Sequence, residues 1–278
     1  MKPVGSTARK FPLFIRIGTS KFFCLKAKSS AFAYDKPSRN KKGEEQMSAY
    51  LDWLADMGID GAHPGGFELT KQILRKLKID RSTSVLDVGC GTGQTAAYIA
   101  EQYGANVTAI DIHPTMIAKA KQRFAAKAVS VRLHRASVEA LPFPAGTFDL
   151  ALSESVLAFV SLPNALAEIR RVLKNDGLFV GIEACHERLT AAEQKQIAAF
   201  YGFRQLMTSA EWKEVLEQSG FGCRQFSYAA AAEAPSLGAP IVIALPPTPE
   251  MASIWQMHQQ LTAQFGDRLG YCVFCCEP

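Results

Sequence analysis

The 278-residue chain has no run of the ~18 to 20 consecutive apolar residues that a helix needs to cross a bilayer, since Lys, Glu or Pro interrupts every apolar stretch. A membrane span is not expected. Paired cysteines are lacking too. The seven stand scattered at 24, 90, 185, 223, 272, 275 and 276, without the spacing of a secreted disulfide framework or a four-ligand zinc site. A reducing compartment, the cytoplasm in the simplest case, and no bound metal are the expectations. A basic excess is also missing where it would matter. Of 31 Lys and Arg, eleven fall in residues 1–46 against three of the 26 acids, which leaves twenty against twenty-three for the remainder. The body of the protein has no surplus cations to neutralise phosphates, so nucleic acid is not an expected partner.

The basic segment differs from the rest in pattern as well as charge. Residues 1–42 are rich in Lys, Arg and Ser and show no sustained periodicity of either helix or strand. Three readings stay open: an organellar transit peptide, which would move the protein out of the cytoplasm; a basic interaction arm; or a segment foreign to the natural protein, since the KKGEEQ before Met47 can be encoded by a purine run resembling a bacterial ribosome-binding site. Each gives a disordered tail over 1–46. Residues 47–278, in a chain 48% hydrophobic and 21% charged, can bury the core of one large domain with a small cap.

From Met47 the periodicity is regular. Met47 to Met57 reads as a short helix with Tyr50, Leu51 and Leu54 on one side. His63-Pro64-Gly65-Gly66 then breaks the chain, and Phe67 to Leu77 reads as a second helix. Strands are expected at 84–88, 106–111, 129–133, 148–152, 178–182, 221–228 and 271–276. Helices are expected at 94–103, 114–125, 163–173, 190–200, 209–218 and 251–265. Such alternation implies an α/β fold, a doubly wound and mostly parallel sheet with helices on both faces, whose ligand lies beyond the carboxyl ends of the strands. Residues 229–266 read as an insertion that, with the N-terminal helices, covers that cleft.

The chemistry-bearing signal begins at Val85. Val-Leu-Asp-Val-Gly-Cys-Gly-Thr-Gly, residues 85–93, leaves an apolar strand through a glycine-rich turn and enters a helix. Glycines permit positive φ and close approach of a ligand, and the helix N-terminus favours an acceptor-rich group. A dinucleotide site shares GxG after a strand. Its fingerprint, however, wants Gly or Ala where Gln94 stands, and it has no use for Asp87. The next strand ends in Asp111, an acid placed to accept from ribose hydroxyls. Ala136-Ser137-Val138 leads into Leu-Pro-Phe at 141–143, Phe148 to Ser155 forms a strand and its exit, and residues 171–180 form a helix end, a turn and a strand.

These stretches, in this order, resemble the motifs of class I S-adenosylmethionine-dependent methyltransferases, of the type that includes the ubiquinone and menaquinone methyltransferases. The resemblance implies a seven-stranded sheet of order 3-2-1-4-5-7-6 and S-adenosyl-L-methionine as cofactor. It implies cofactor contacts from Asp87, Gly89, Cys90, Gly91, Thr92, Gly93, Asp111, Ile112, Ser137, Val138 and Ser153. Ser137 stands where the family often has Asp, a weaker acceptor for the adenine amino group. A non-catalytic protein on the same fold and a nicotinamide oxidoreductase are the rival classes.

The motifs name the cofactor rather than the acceptor. The chain has no Pro-Pro-Tyr clamp for base or glutamine amides and no Pro-Cys nucleophile. Cys90, Cys185 and Cys223 invite an arsenite-binding reading, but Cys90 belongs to the glycine turn and Cys223 reads as a core residue of the sixth strand. In the final strand, alternation sends Cys272 and Cys276 to one face and Cys275 to the other. A small-molecule acceptor and a monomer or homodimer are expected. Glu183, at the end of the apolar run Leu-Phe-Val-Gly-Ile, is the first candidate to face the transferred methyl, with His186 and His63 as further candidates.

Overall fold

Strand β1 (Ser84–Val88) is buried from Val85 onward on both of its faces, as a central parallel strand covered by helices on each side must be. Its neighbours are β2 (Asn106–Asp111) and β4 (Phe148–Glu154), with Val85 opposite both Val107 and Leu150. The whole sheet, in a computed structural model that describes residues 48–61, 63–230 and 248–278, runs β3-β2-β1-β4-β5-β8-β7. Here β3 is Val131–Arg135, β5 Leu173–His186, β7 Gly222–Ala230 and β8 Leu269–Glu277. The additional short β6 (Met207–Thr208) pairs with the end of β5. With that strand set aside, the order is the expected 3-2-1-4-5-7-6. Only β8 runs antiparallel to its neighbours. The tail 1–46 and the middle of the 229–266 insertion lie outside the described residues.

Alternation along the strands builds a core on each face. Leu86, Val88, Ala151 and Phe179 meet α5 (Leu162–Val172) and α7 (Ser209–Gln218) on one side. Val85, Val107, Leu150 and Val180 meet α2 (Gly66–Leu74), α3 (Gln94–Tyr103) and α4 (Pro114–Ala126) on the other. A third cluster joins α1 (Ala49–Met57), α6 (Ala191–Tyr201) and α8 (Pro249–Phe265) above the sheet's carboxyl edge.

Local chemistry sets the ends of these elements. Ser48 accepts from Leu51 N–H at 3.2 Å and Gly58 closes α1 in the left-handed region, so this helix begins two residues later than the periodicity suggests. Capping boxes open α6 (Thr190 with Glu193) and α7 (Thr208 with Glu211). Among the described residues no helix is long and apolar enough to cross a membrane.

The cysteines depart from the sequence reading. Cys223 and Cys276 are opposite residues of the antiparallel β7–β8 pair and are joined in a disulfide across 53 positions of sequence. Sequence spacing hides a bond that strand pairing makes. On the same face the sulfurs of Cys185 and Cys272 lie 3.0 Å apart. The expected alternation holds: Cys272 and Cys276 are buried in one core and Cys275 packs against the other. No cluster that could hold a metal occurs among the described residues.

Candidate active site

β1 delivers Asp87 to the sheet edge, and the chain then turns through Gly89, Gly91 and Gly93, whose φ values are 67°, 53° and 80°. The turn is pinned to β2. Cys90 N–H donates to Ile110 C=O and Gly91 N–H to Asp111 Oδ2, each at 2.8 Å. Added methyls at these glycines would meet different things. At Gly89 a Cβ would lie 2.3 Å from Val156 Cγ2, so that glycine serves close packing. At Gly91 the nearest atom is Met116 Sδ at 3.9 Å. Gly91 therefore presents bare backbone to open space.

That space is a cavity of about 530 Å³ over the ends of β1, β2 and β4. Three carboxylates line it: Asp87, Asp111 and Glu154. Asp87 is buried, and its Oδ2 has no hydrogen-bond partner among the described residues. Desolvation, then the charges of Glu154 and Asp111, push its carboxyl well above the usual range. Burial also raises Asp111, against the opposing pull of the amides of His113 and Gly91. Glu154 accepts from Thr70 Oγ1 at 2.5 Å and from Thr95 Oγ1 at 2.7 Å. His63, beside it, sets Nε2 at 3.1 Å from the same Thr70 hydroxyl and Nδ1 at 3.1 Å from Pro64 C=O.

The opposite wall is aromatic. Tyr50 and Trp53 come from α1, Tyr201 from α6, Trp255 and His258 from α8. Tyr201 Oη lies 3.0 Å from His258 Nδ1, Trp255 stacks on His258 at 5.3 Å, and Tyr50 meets Tyr201 edge-on at 4.8 Å.

Residues 86–181 match a family described as a methyltransferase domain. Over 239 residues the chain is 39% identical to an uncharacterized methyltransferase, YodH, of Bacillus subtilis (strain 168), which spans 82% of this chain and 98% of that protein. The chain is a class I S-adenosylmethionine-dependent methyltransferase. Solved methyltransferases share its fold. A geranyl diphosphate methyltransferase in complex with SAM superposes with a TM-score of 0.60 at 17% identity over 76% of this chain and 84% of that one. The Haemonchus contortus phosphoethanolamine N-methyltransferase 2, in complex with phosphomonomethylethanolamine and S-adenosylhomocysteine, reaches 0.65 at 16% identity over 82% and 56%. S-adenosylmethionine is the cofactor, and the cavity suits it: the methyltransferase leaves backbone bare at Gly91 and an unpartnered buried carboxylate oxygen at Asp87.

The cavity of the methyltransferase brings together Asp87, Gly89, Cys90, Gly91, Thr92, Asp111, Ile112, Ser137, Val138 and His63. It leaves out Gly93, Ser153, Glu183 and His186. A Cβ at Gly93 would strike the Phe124 ring at 2.7 Å, so that glycine lets α3 pack on α4. Glu183 does not emerge at the ligand edge, because β5 continues to His186: antiparallel pairing with β8 carries Glu183 opposite Cys272 and His186 opposite Leu269. The Glu183 carboxylate is instead fully buried. Its Oε1 accepts from Ser153 Oγ at 2.9 Å and from the amides of Val156 and Leu157 at 3.2 and 3.1 Å. Ser153 is occupied in the same way, since β4 runs on to Glu154 rather than stopping at Leu152. Burial lifts Glu183 to about 7. His186 is buried, and desolvation lowers its pKa.

Glu154 escaped the sequence reading, although it is an acid at a strand tip as Asp111 is. Tyr201, Trp255 and His258 also escaped, because an apolar or aromatic helix face reads the same whether it covers a sheet or a cavity.

Proposed function

We propose that the enzyme holds S-adenosylmethionine along the β1–β2–β4 edge and passes its methyl group to a small-molecule acceptor lodged beneath α1, α6 and α8. Gly91 carries the reading: the backbone of the glycine turn faces open cavity, where a side chain would stand in the way of a bound cofactor, with the Asp111 carboxylate hydrogen-bonded to its N–H. The cofactor supplies a sulfonium methyl that is electrophilic without further activation.

The chain's own residues bind and orient. Asp111 accepts from ribose hydroxyls, and Asp87, with an oxygen to spare, accepts from the cofactor's ammonium group. Ile112, 53% exposed beside the cavity, offers apolar surface to the adenine, and Val138 and Ser137 complete that side. Glu183 acts at one remove. By tying down the amides of Val156 and Leu157 it positions the segment whose Val156 and Phe159 side chains wall the cavity. Alignment of acceptor, methyl and sulfur in a site closed to water is then the main source of rate.

Isothermal titration with S-adenosylhomocysteine and NADH tests the binding half. Micromolar binding of the first and none of the second is expected, and the reverse would replace the reading with a nicotinamide site. Tritiated S-adenosylmethionine incubated with a cell extract tests transfer, and label in a low-molecular-weight product is expected. A cofactor that binds without label appearing in any fraction would leave a non-catalytic protein.

A further inference from the structure

No lysine or arginine lines the cavity among the described residues, while three carboxylates do. Asp87, Asp111 and Glu154 sit on the sheet side. The cap side is built from Trp53, Tyr50, Leu51, Tyr201, Trp255 and His258 together with smaller side chains, and none of these is a carboxylate. The cap also stays uncharged near neutral pH: burial raises the Tyr50 phenol, raises Tyr201 to about 12, and lowers the His258 imidazole. An anion carried into such a space finds no lysine or arginine side chain among the described residues to replace its hydration and meets carboxylates across the cavity, so its burial is opposed. A neutral ring loses little hydration and gains the aromatic wall.

The polar groups of the cap converge at one point. His258 Nδ1 lies 3.0 Å from Tyr201 Oη, and the imidazole stacks with the rings of Trp255 and Tyr50 at 5.3 and 5.8 Å. The Nε2 has no partner among the described hydrogen bonds. An imidazole fixed in orientation by its other nitrogen is suited to hold a hydroxyl.

Building on the methyltransferase reading, we propose that the acceptor is an uncharged molecule with a flat apolar body and a hydroxyl that docks on His258, and that phosphorylated or carboxylate-bearing acceptors are excluded. The acceptor oxygen bonds the methyl carbon and the carbon–sulfur bond breaks with its electron pair going to sulfur; in the tautomer whose Nδ1–H donates to Tyr201 Oη, the hydroxyl proton passes to the unprotonated Nε2 of His258. The acceptor becomes a methyl ether and the cofactor a neutral thioether.

The test uses the full chain saturated with S-adenosylhomocysteine, so that failure of cofactor binding is seen first and separately. Calorimetric titration compares 2-naphthol with 2-naphthyl phosphate, which share one ring body and differ in charge. The neutral probe is expected to bind at least tenfold tighter, and equal or tighter binding of the phosphate would overturn the charge argument. His258→Phe keeps a ring in the stack and removes the nitrogen. It should weaken 2-naphthol at least threefold while leaving S-adenosylhomocysteine affinity unchanged. Undiminished naphthol binding in that variant would remove His258 from the acceptor site. If the variant loses cofactor affinity, Tyr201→Phe, which frees His258 Nδ1 without touching the imidazole, replaces it with the same expected loss and the same overturning result.

Discussion

Asp111 accepts backbone N–H bonds from both Gly91 and His113, each at 2.8 Å, so one carboxylate both shapes the glycine turn and faces the cavity. Replacing it with Ala removes the acceptor we propose for the ribose hydroxyls, at ~1.5 to 3 kcal/mol, and S-adenosylhomocysteine should bind at least tenfold more weakly. Asp111→Asn keeps one oxygen and should fall between the two in the same titration. Affinity unchanged in the Ala variant would move the cofactor off β2. Glu183 makes a prediction of a different kind. Its folded-state pKa of about 7 stands above the ordinary 4.5, so between those values the folded protein binds more protons than the unfolded chain. Stability therefore declines as pH rises through that window, by up to ~3 kcal/mol from this group, and the loss is complete above it. Glu183→Gln does not titrate and should flatten this limb, leaving the raised carboxyls of Asp87 and Asp111 to set the residual slope. Denaturant melts of both proteins at pH 5 and pH 8 decide it, and equal pH dependence would mean that Glu183 titrates normally.

The edge of the sheet formed by β5, β8 and β7 is where elements depart most from what could be anticipated. The Cys223–Cys276 disulfide closes a loop across 53 positions, and in the chain-entropy account a loop of that length contributes up to ~4 kcal/mol. Peptide mapping after alkylation without reductant should recover the 223–276 linkage, and the reduced protein should melt at a lower temperature. Alkylation at both sites would instead show free thiols. None of this could be read from cysteine spacing, because the pair forms only through the β7–β8 register. The cofactor half was legible for the opposite reason. Asp87, the glycine turn and α3 are contiguous in sequence, and each step uses residues with few alternatives: glycine at positive φ, an acid at a strand tip, an apolar strand before them. The turn between β1 and α3 lies where the sequence places it, whereas Glu183 is misplaced by reading β5 as ending with its apolar run. The extra strand length came from pairing with β8, a long-range contact invisible at Glu183 itself.

At the scale of the whole molecule, the cavity is the joint between two halves that the chain visits at different times. Residues 87–92, 110–113 and 136–138 form its floor, and α1, α6 and α8, far apart in the sequence, form its roof. A ligand touching both should couple them, because binding to the folded state alone stabilises it by ~2.7 kcal/mol at a hundredfold excess over Kd. The expected pattern in hydrogen exchange is specific. S-adenosylhomocysteine should slow exchange in the glycine turn and in 155–160, and also in α1 and α8, whose Trp53 and Trp255 stack at 5.9 Å over the site. α5 and α7, which pack on the far face of the sheet against Leu86 and Phe179, should slow only as much as global stability rises. Protection confined to the turn, with α1 and α8 exchanging as before, would show that the roof responds to the acceptor rather than to the cofactor. Uniform protection everywhere would show one cooperative unit with no separate roof, since locally coupled segments exchange through their own openings only when these cost less than global unfolding.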